Sequence, residues 1–189
     1  KPQPKLFMLG NEAVALGALT AGAKFMSAYP ITPSSEIMEY MVKHAPAEGG
    51  VMLQTEDEIS ACTMAIGAAY AGARAFTATA GPGLSLMAEA IGLAEMTETP
   101  LVVVDTQRGG PSTGLPTKHE QSDLMAAIYN THGDTAKIVV SPSSIEESFY
   151  DTFEAFNLAE EYQCPVIVLS DLQLSLGKQS VTSLDYGKL

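Results

Sequence analysis

Three carboxyls, in Thr55-Glu56-Asp57-Glu58, stand immediately before an Ala-rich helical stretch. Thr55-x-x-Glu58 has the spacing of a capping box, and acids in a first helical turn complement the helix dipole. The position has a second use. Burial against an apolar helix raises a carboxyl's pKa while a helix N-terminus lowers it, so a carboxyl held there can exchange a proton with a ring nitrogen. Local sequence leaves both readings open.

Three further segments combine reactive residue types with loop composition. Gln107-Arg108-Gly109-Gly110-Pro111-Ser112-Thr113-Gly114-Leu115-Pro116-Thr117-Lys118-His119-Glu120 is long for a loop inside a compact domain, which marks it as a binding loop or a disordered one. Arg108, directly after an apolar run, is placed to take a carboxylate with both arms of its fork or to form a surface ion pair; Lys118 offers a second cation or a solvated side chain. In Tyr29-Pro30-Ile31-Thr32-Pro33-Ser34-Ser35, Thr32 reads either as an N-cap with Pro33 at the first helical position or as a ligand contact. Ala80-Gly81-Pro82-Gly83 lacks the GxGxxG spacing and reads as a turn that allows close backbone approach. His44, His119 and His132 are scattered without metal-ligand spacing, so no metal is assigned to this chain.

Each segment follows a run of strand length. The runs are 6–9, 24–28, 50–54, 74–79, 101–106, 137–140 and 165–170, alternating with helical stretches at 11–21, 33–44, 56–72, 84–96, 120–130 and 144–161. Continuously apolar strands such as Leu101-Val102-Val103-Val104 imply burial on both faces. The expected fold is therefore α/β: a doubly wound, mainly parallel sheet with helices on both faces. Ligands of such sheets bind at the carboxyl ends of strands, where all four segments lie. Ser144-x-x-Glu147 predicts a second capping box, with Phe149 and Phe153 on a core-facing stripe. Helix 56–72 is apolar nearly all round, which predicts burial in a core or a subunit interface. Its Gly67 and Gly72 predict a packing reason.

Composition narrows the class. The 189 residues suit one α/β domain, and 46% hydrophobic content excludes disorder. Ten basic against 22 acidic residues, net −12, exclude nucleic acid as a partner. Cys62 and Cys164 lie in apolar segments without a CxxC and predict buried thiols in a reducing compartment. Two thiols are too few for the roughly four that an iron–sulfur cluster requires. No apolar run reaches membrane-span length and Lys1-Pro2-Gln3-Pro4-Lys5 has no signal-peptide core, so the cytoplasm is the expected location.

Taken in order, Gly10-Asn11-Glu12-Ala13, the Tyr29–Ser35 segment, Glu56-Asp57-Glu58 and Arg108 through Lys118 resemble the alpha subunit of 2-oxoacid:ferredoxin oxidoreductases, the 2-oxoglutarate branch most of all. The resemblance runs from about Leu6 to Gly177. It implies a pyrimidine-type thiamine-diphosphate domain over 1–178, with 179–189 a tail or the start of a linker to a further domain. It also implies oxidative decarboxylation of a 2-oxoacid with coenzyme A to acyl-CoA, carbon dioxide and reduced ferredoxin. The cofactor is expected to be shared with a beta subunit in a hetero-oligomer. Because this chain has no GDG motif, Mg²⁺, the diphosphate grip and the iron–sulfur cluster are expected on that partner.

The resemblance also assigns roles. The family's aminopyrimidine-activating Glu opens an Ala-rich helix and is commonly followed nine positions later by Gly. From Glu58 that position is Gly67; from Glu56 it is Ala65, so Glu58 is favoured and Glu56 is second. Its role would be a hydrogen bond to the ring nitrogen that favours the imino tautomer. Thr32 matches the substrate-side Thr, Arg108 the residue that holds the 1-carboxylate, and Lys118 is expected to meet the distal carboxylate of 2-oxoglutarate. A plain nucleotide-binding module is disfavoured because Gly10-Asn11-Glu12 is not GxG; a silent scaffold docking through the apolar helix is the other alternative.

Overall fold

Seven residues of strand β5 (Leu101–Gln107) are all buried, and the rest of the molecule is layered around them. The structure is a computed structural model and describes residues 5–189; the 1–4 stretch read above lies outside them. β2 (Phe25–Ala28), β3 (Val51–Gln54), β4 (Ala75–Thr79), β5, β6 (Ile138–Val140) and β7 (Pro165–Asp171) form one six-stranded sheet in the order β3-β2-β4-β5-β7-β6. Every neighbouring pair is parallel.

Alternation along the strands sends side chains to opposite faces. Val102 and Val104 pack with Phe76, Val166 and Val168 under α1 (Gly10–Thr20), α2 (Ser35–His44) and α7 (Ile145–Tyr162). Leu101 and Val103 pack with Ile167 and Leu169 under α3 (Glu58–Tyr70), α4 (Gly81–Leu86), α5 (Ala88–Met96) and α6 (Leu124–Tyr129). Phe149 is fully buried and Phe153 packs partly buried on the first core, as the stripe predicts.

The first expected strand does not join this sheet. β1 (Lys5–Leu9) exposes Lys5, Leu6 and Phe7, which suits a surface ribbon rather than a strand covered on both sides. It pairs antiparallel with β8 (Lys178–Thr182), so the start of the polar stretch after Gly177 is ordered strand. The short helix α8 (Leu172–Leu176) connects β7 to that ribbon.

Helix boundaries moved where side chains found other partners. Gly81-Pro82-Gly83 is the first turn of α4 rather than a loop, since Pro is tolerated where the N–H has no intrahelical acceptor. The expected 84–96 helix breaks at Met87. The expected 120–130 helix starts only at Leu124, because Glu120 and Gln121 are drawn into contacts with Gly110 and Asp171. Ser144 does cap α7, accepting from Glu147 N–H at 3.1 Å. Glu147 folds back one residue further than a capping box, onto Ser143 N–H and Oγ, and these bonds hold its carboxyl below the usual range.

α3 buries Ala61, Cys62, Ala65, Ile66 and Ala69 and exposes Ile59, Met64 and Tyr70. Gly72 ends it with φ +95°, a left-handed turn that only Gly adopts cheaply. Gly67 meets nothing: a Cβ there would find open space.

Candidate active site

Glu58 is the first residue of α3, not the third as the capping-box spacing predicts. Asp57 is the cap, its Oδ1 accepting from Ser60 N–H at 2.7 Å, while Thr55 Oγ1 donates to the Asp57 carbonyl at 2.9 Å. That register releases Glu58 from capping. Glu58 is 7% exposed, whereas Glu56 is exposed. No hydrogen bond from a described residue reaches the Glu58 carboxyl. Gly83 in α4 explains how it fits. A Cβ there would overlap Thr79 Oγ1 and stand 2.8 Å from Glu58 Cγ.

Arg108 continues β5 and is 6% exposed. Its guanidinium donates to the carbonyls of Thr32 and Thr113, each at 2.7 Å, so it ties the β2 loop to its own loop. Nε is buried without a partner. Thr32 is therefore fixed through its carbonyl, and it does not cap α2. The helix begins at Ser35 after a turn in which Ser34 N–H donates to Ile31 O at 2.9 Å. The buried Asn11 holds the next carbonyl, donating to Pro33 O at 2.6 Å and to Glu36 Oε2 at 3.0 Å. Asn11 was not singled out as a site residue on the sequence; its place just after a strand was the available signal.

A cleft of about 710 Å³ opens between α4 and this loop, lined by Gly81, Pro82, Arg108, Gly110, Thr113 and Asp123 among others. Glu58, Thr32 and Lys118 are outside its lining. Lys118 anchors the loop with its backbone, accepting from Gly109 N–H at 2.8 Å, and leaves its ammonium exposed. Glu120 accepts from Gly110 N–H at 3.0 Å. Asp171, at the end of β7, holds the loop's far side through Gln121 Nε2 at 2.7 Å and His119 Nε2 at 3.3 Å. Burial works against the Asp171 charge, but Leu174 N–H, Gln121 and His119 together hold its carboxyl below the usual range. Sequence reading gave His119 no role; its partner lies 52 residues away in β7.

The structure thus joins Thr32 to Arg108 and Glu58 to Gly83 at one edge of the sheet, and leaves Lys118 on the rim. The pyruvate flavodoxin/ferredoxin oxidoreductase, thiamine diP-binding family model matches residues 16–188. The chain belongs to this family. The 2-oxoglutarate synthase subunit KorA of Methanothermobacter marburgensis is 54% identical over 95% of this chain and 48% of its own length. The 2-oxoglutarate oxidoreductase subunit KorA of Mycobacterium tuberculosis is 46% identical over 90% of this chain and 27% of its own. Among solved structures, the 2-oxoglutarate:ferredoxin oxidoreductase of Magnetococcus marinus, with 2-oxoglutarate, coenzyme A and succinyl-CoA bound, superposes with a TM-score of 0.97. It is 50% identical, covering all of this chain and 33% of that one. The chain spans about half the length of the archaeal KorA relatives it matches. The thiamine-binding family and the doubly wound α/β fold expected from sequence both hold.

Proposed function

We propose that this chain supplies the aminopyrimidine side of the thiamine diphosphate site in a 2-oxoglutarate:ferredoxin oxidoreductase. The observation that carries the reading is Glu58: a buried carboxyl at the ligand-binding edge of the sheet, free of capping and of any donor from a described residue. With no donor from a described residue, that carboxyl keeps its hydrogen-bonding capacity for an external partner. A ring nitrogen is such a partner, so the residues fit the cofactor's pyrimidine.

When bound, thiamine diphosphate supplies the carbon nucleophile and electron sink for decarboxylation. Glu58 would hydrogen-bond the ring nitrogen and favour the imino tautomer. Gly83 lets α4 close over Glu58 without a side chain between them. Arg108 has five N–H groups, of which two serve Thr32 and Thr113; hydrogens remaining on its terminal nitrogens are available to the 2-oxoacid's 1-carboxylate. Thr32, fixed through its carbonyl, presents its hydroxyl near the keto group, and the exposed Lys118 meets the distal carboxylate. The diphosphate, Mg²⁺ and the iron–sulfur cluster belong to a beta subunit of a cytoplasmic hetero-oligomer, which passes electrons to ferredoxin and the acyl group to coenzyme A. Both cysteines of this chain are buried, and burial pushes the Cys62 thiol up to about 12, unlike a cluster ligand.

The test is acyl-CoA formation by the full-length subunit copurified with its partners, across several 2-oxoacids. The highest kcat/KM is expected with 2-oxoglutarate. A preference for pyruvate or a branched 2-oxoacid overturns the substrate, and no acyl-CoA from any of them overturns the function. Lys118→Ala is expected to cut the preference for 2-oxoglutarate over pyruvate about tenfold, the worth of one charged hydrogen bond; an unchanged ratio removes Lys118 from the site.

A further inference from the structure

The two glycines of α4's first turn each make room for a carboxyl. Gly83 accommodates Glu58; Gly81 accommodates Asp123, whose Oδ2 would stand 2.7 Å from a Cβ there. The second carboxyl is not alone. Beneath it lies Asp105 of β5, 0% exposed, with its side chain in hydrogen-bonding contact with that of Asp123. Both Asp105 oxygens and Asp123 Oδ2 are buried without a donor, while the Ser122 side chain hydrogen-bonds the Asp123 carboxyl and favours its charged form.

Two ionised carboxylates in contact inside a protein repel strongly, and burial adds to the cost. The charged groups around the pair do not relieve it. Glu120 on the loop adds repulsion to Asp123. Glu58, across the same turn on α3, has the same sign. Arg108, on the cleft wall, donates to the Thr32 and Thr113 carbonyls and to neither carboxyl of the pair. A proton between the two carboxyls resolves the arrangement, turning mutual repulsion into a charge-assisted O–H···O⁻ bond.

We propose that Asp105 carries a proton that it shares with Asp123, and that this bond is a positioning device for the cleft: it holds the end of the 107–123 loop on β5 and keeps the Asp123 charge turned away from anionic ligand. The backbone around the pair supports it. Asp123 N–H donates to Gln107 Oε1 at 2.9 Å, and Gln107 Nε2 donates to Ser170 O at 3.1 Å, so the same corner is pinned to β5 and β7. Burial first, and then the neighbouring carboxyl, push Asp105 well above the usual carboxylate range; burial raises Asp123 as well. When alkali removes the shared proton, the carboxylates separate. The pair then carries a second negative charge, and Asp123, on the cleft wall, is no longer held away from the place where the anionic 2-oxoacid enters. This consequence for substrate rests on the function proposed above; the shared proton itself does not.

Infrared difference spectroscopy of the full-length complex tests the proton directly. At neutral pH the wild type is expected to show the carbonyl band of a protonated buried carboxylic acid, and Asp105→Asn is expected to lose it. No such band in the wild type, or a band unchanged in Asp105→Asn, overturns the proposal. The KM for the 2-oxoacid is expected to rise about fivefold as the pair ionises, the effect of about 1 kcal/mol from a charge some 4 Å away in water. In Asp105→Asn that rise flattens, because an amide donates to Asp123 at every pH. Asp123→Asn provides the same readout if the first variant fails to assemble. A KM profile that rises equally in the variants overturns the positioning role. If the band behaves as expected but no 2-oxoacid is turned over, the shared proton stands and the proposed function falls.

Discussion

Glu58 and Asp105 are both buried carboxyls at the same edge of the sheet, beneath the same helical turn, yet their surroundings differ in kind. Glu58 sits at the start of a helix with no donor from a described residue, beside a glycine that a side chain would fill. Asp105 sits within a strand and meets a second carboxyl, with which one proton satisfies both. The contrast separates a carboxyl available to a ligand from one occupied by the fold. Burial alone marks neither as catalytic; the difference lies in whether the protein itself supplies the partner.

That contrast can be broken from several directions. Glu58→Gln is expected to lower kcat of the assembled enzyme by about 10²–10⁴, the range for loss of a proton-transfer group. Steady-state kinetics on the copurified complex would show it, and a fall of less than threefold would place Glu58 with the structural acids. Gly83→Ala should destabilise the fold by about 3 kcal/mol in thermal or denaturant unfolding, because its Cβ overlaps Thr79 Oγ1 and crowds Glu58. Gly81→Ala should cost less, since the Asp123 carboxyl at the end of a side chain can give way.

Asp105→Asn sharpens the other half of the comparison. The Asp105 pKa is raised in the folded state above its ordinary 3.8, so the native protein binds more protons than the unfolded chain above that value. Its contribution is most favourable below the unfolded value and is lost as pH rises towards the folded one. Asp105→Asn should therefore gain in stability relative to wild type as pH increases from about 4 to 8, measured as a widening difference in Tm. Gly67→Ala gives the smallest effect. With open space around it on the exposed face of α3, alanine should stabilise the fold by up to about 1 kcal/mol. A loss of complex formation in that variant would instead show that a partner backbone approaches this face.

The strand that carries Asp105 was legible because Leu101-Val102-Val103-Val104 admits only a doubly covered strand, and Arg108 was placed by following it. β1 was misplaced because a four-residue apolar run does not say which strand it pairs with; that was decided by Val181 and Leu184, far along the chain, closing over Met8. The capping-box spacing pointed to Thr55 as the cap of α3 and missed Asp57, an equally good capping residue two positions on. Asp57 prevails because its carboxylate reaches Ser60 N–H. Asp105 passed unnoticed. An acid near a strand's end reads as the place where burial stops, and its partner lies 18 residues further on, beyond a loop whose path local sequence does not determine. Asn11 and His119 were hidden likewise, each defined by a carbonyl or carboxylate supplied from another element.

The most direct measurement is C2–H exchange of thiamine diphosphate bound to the full-length complex, comparing wild type with Glu58→Gln. If Glu58 is the carboxyl that serves the aminopyrimidine, exchange in the variant slows by about 10²-fold or more while the cofactor remains bound. Exchange at the wild-type rate in a fully loaded Glu58→Gln complex would contradict that role.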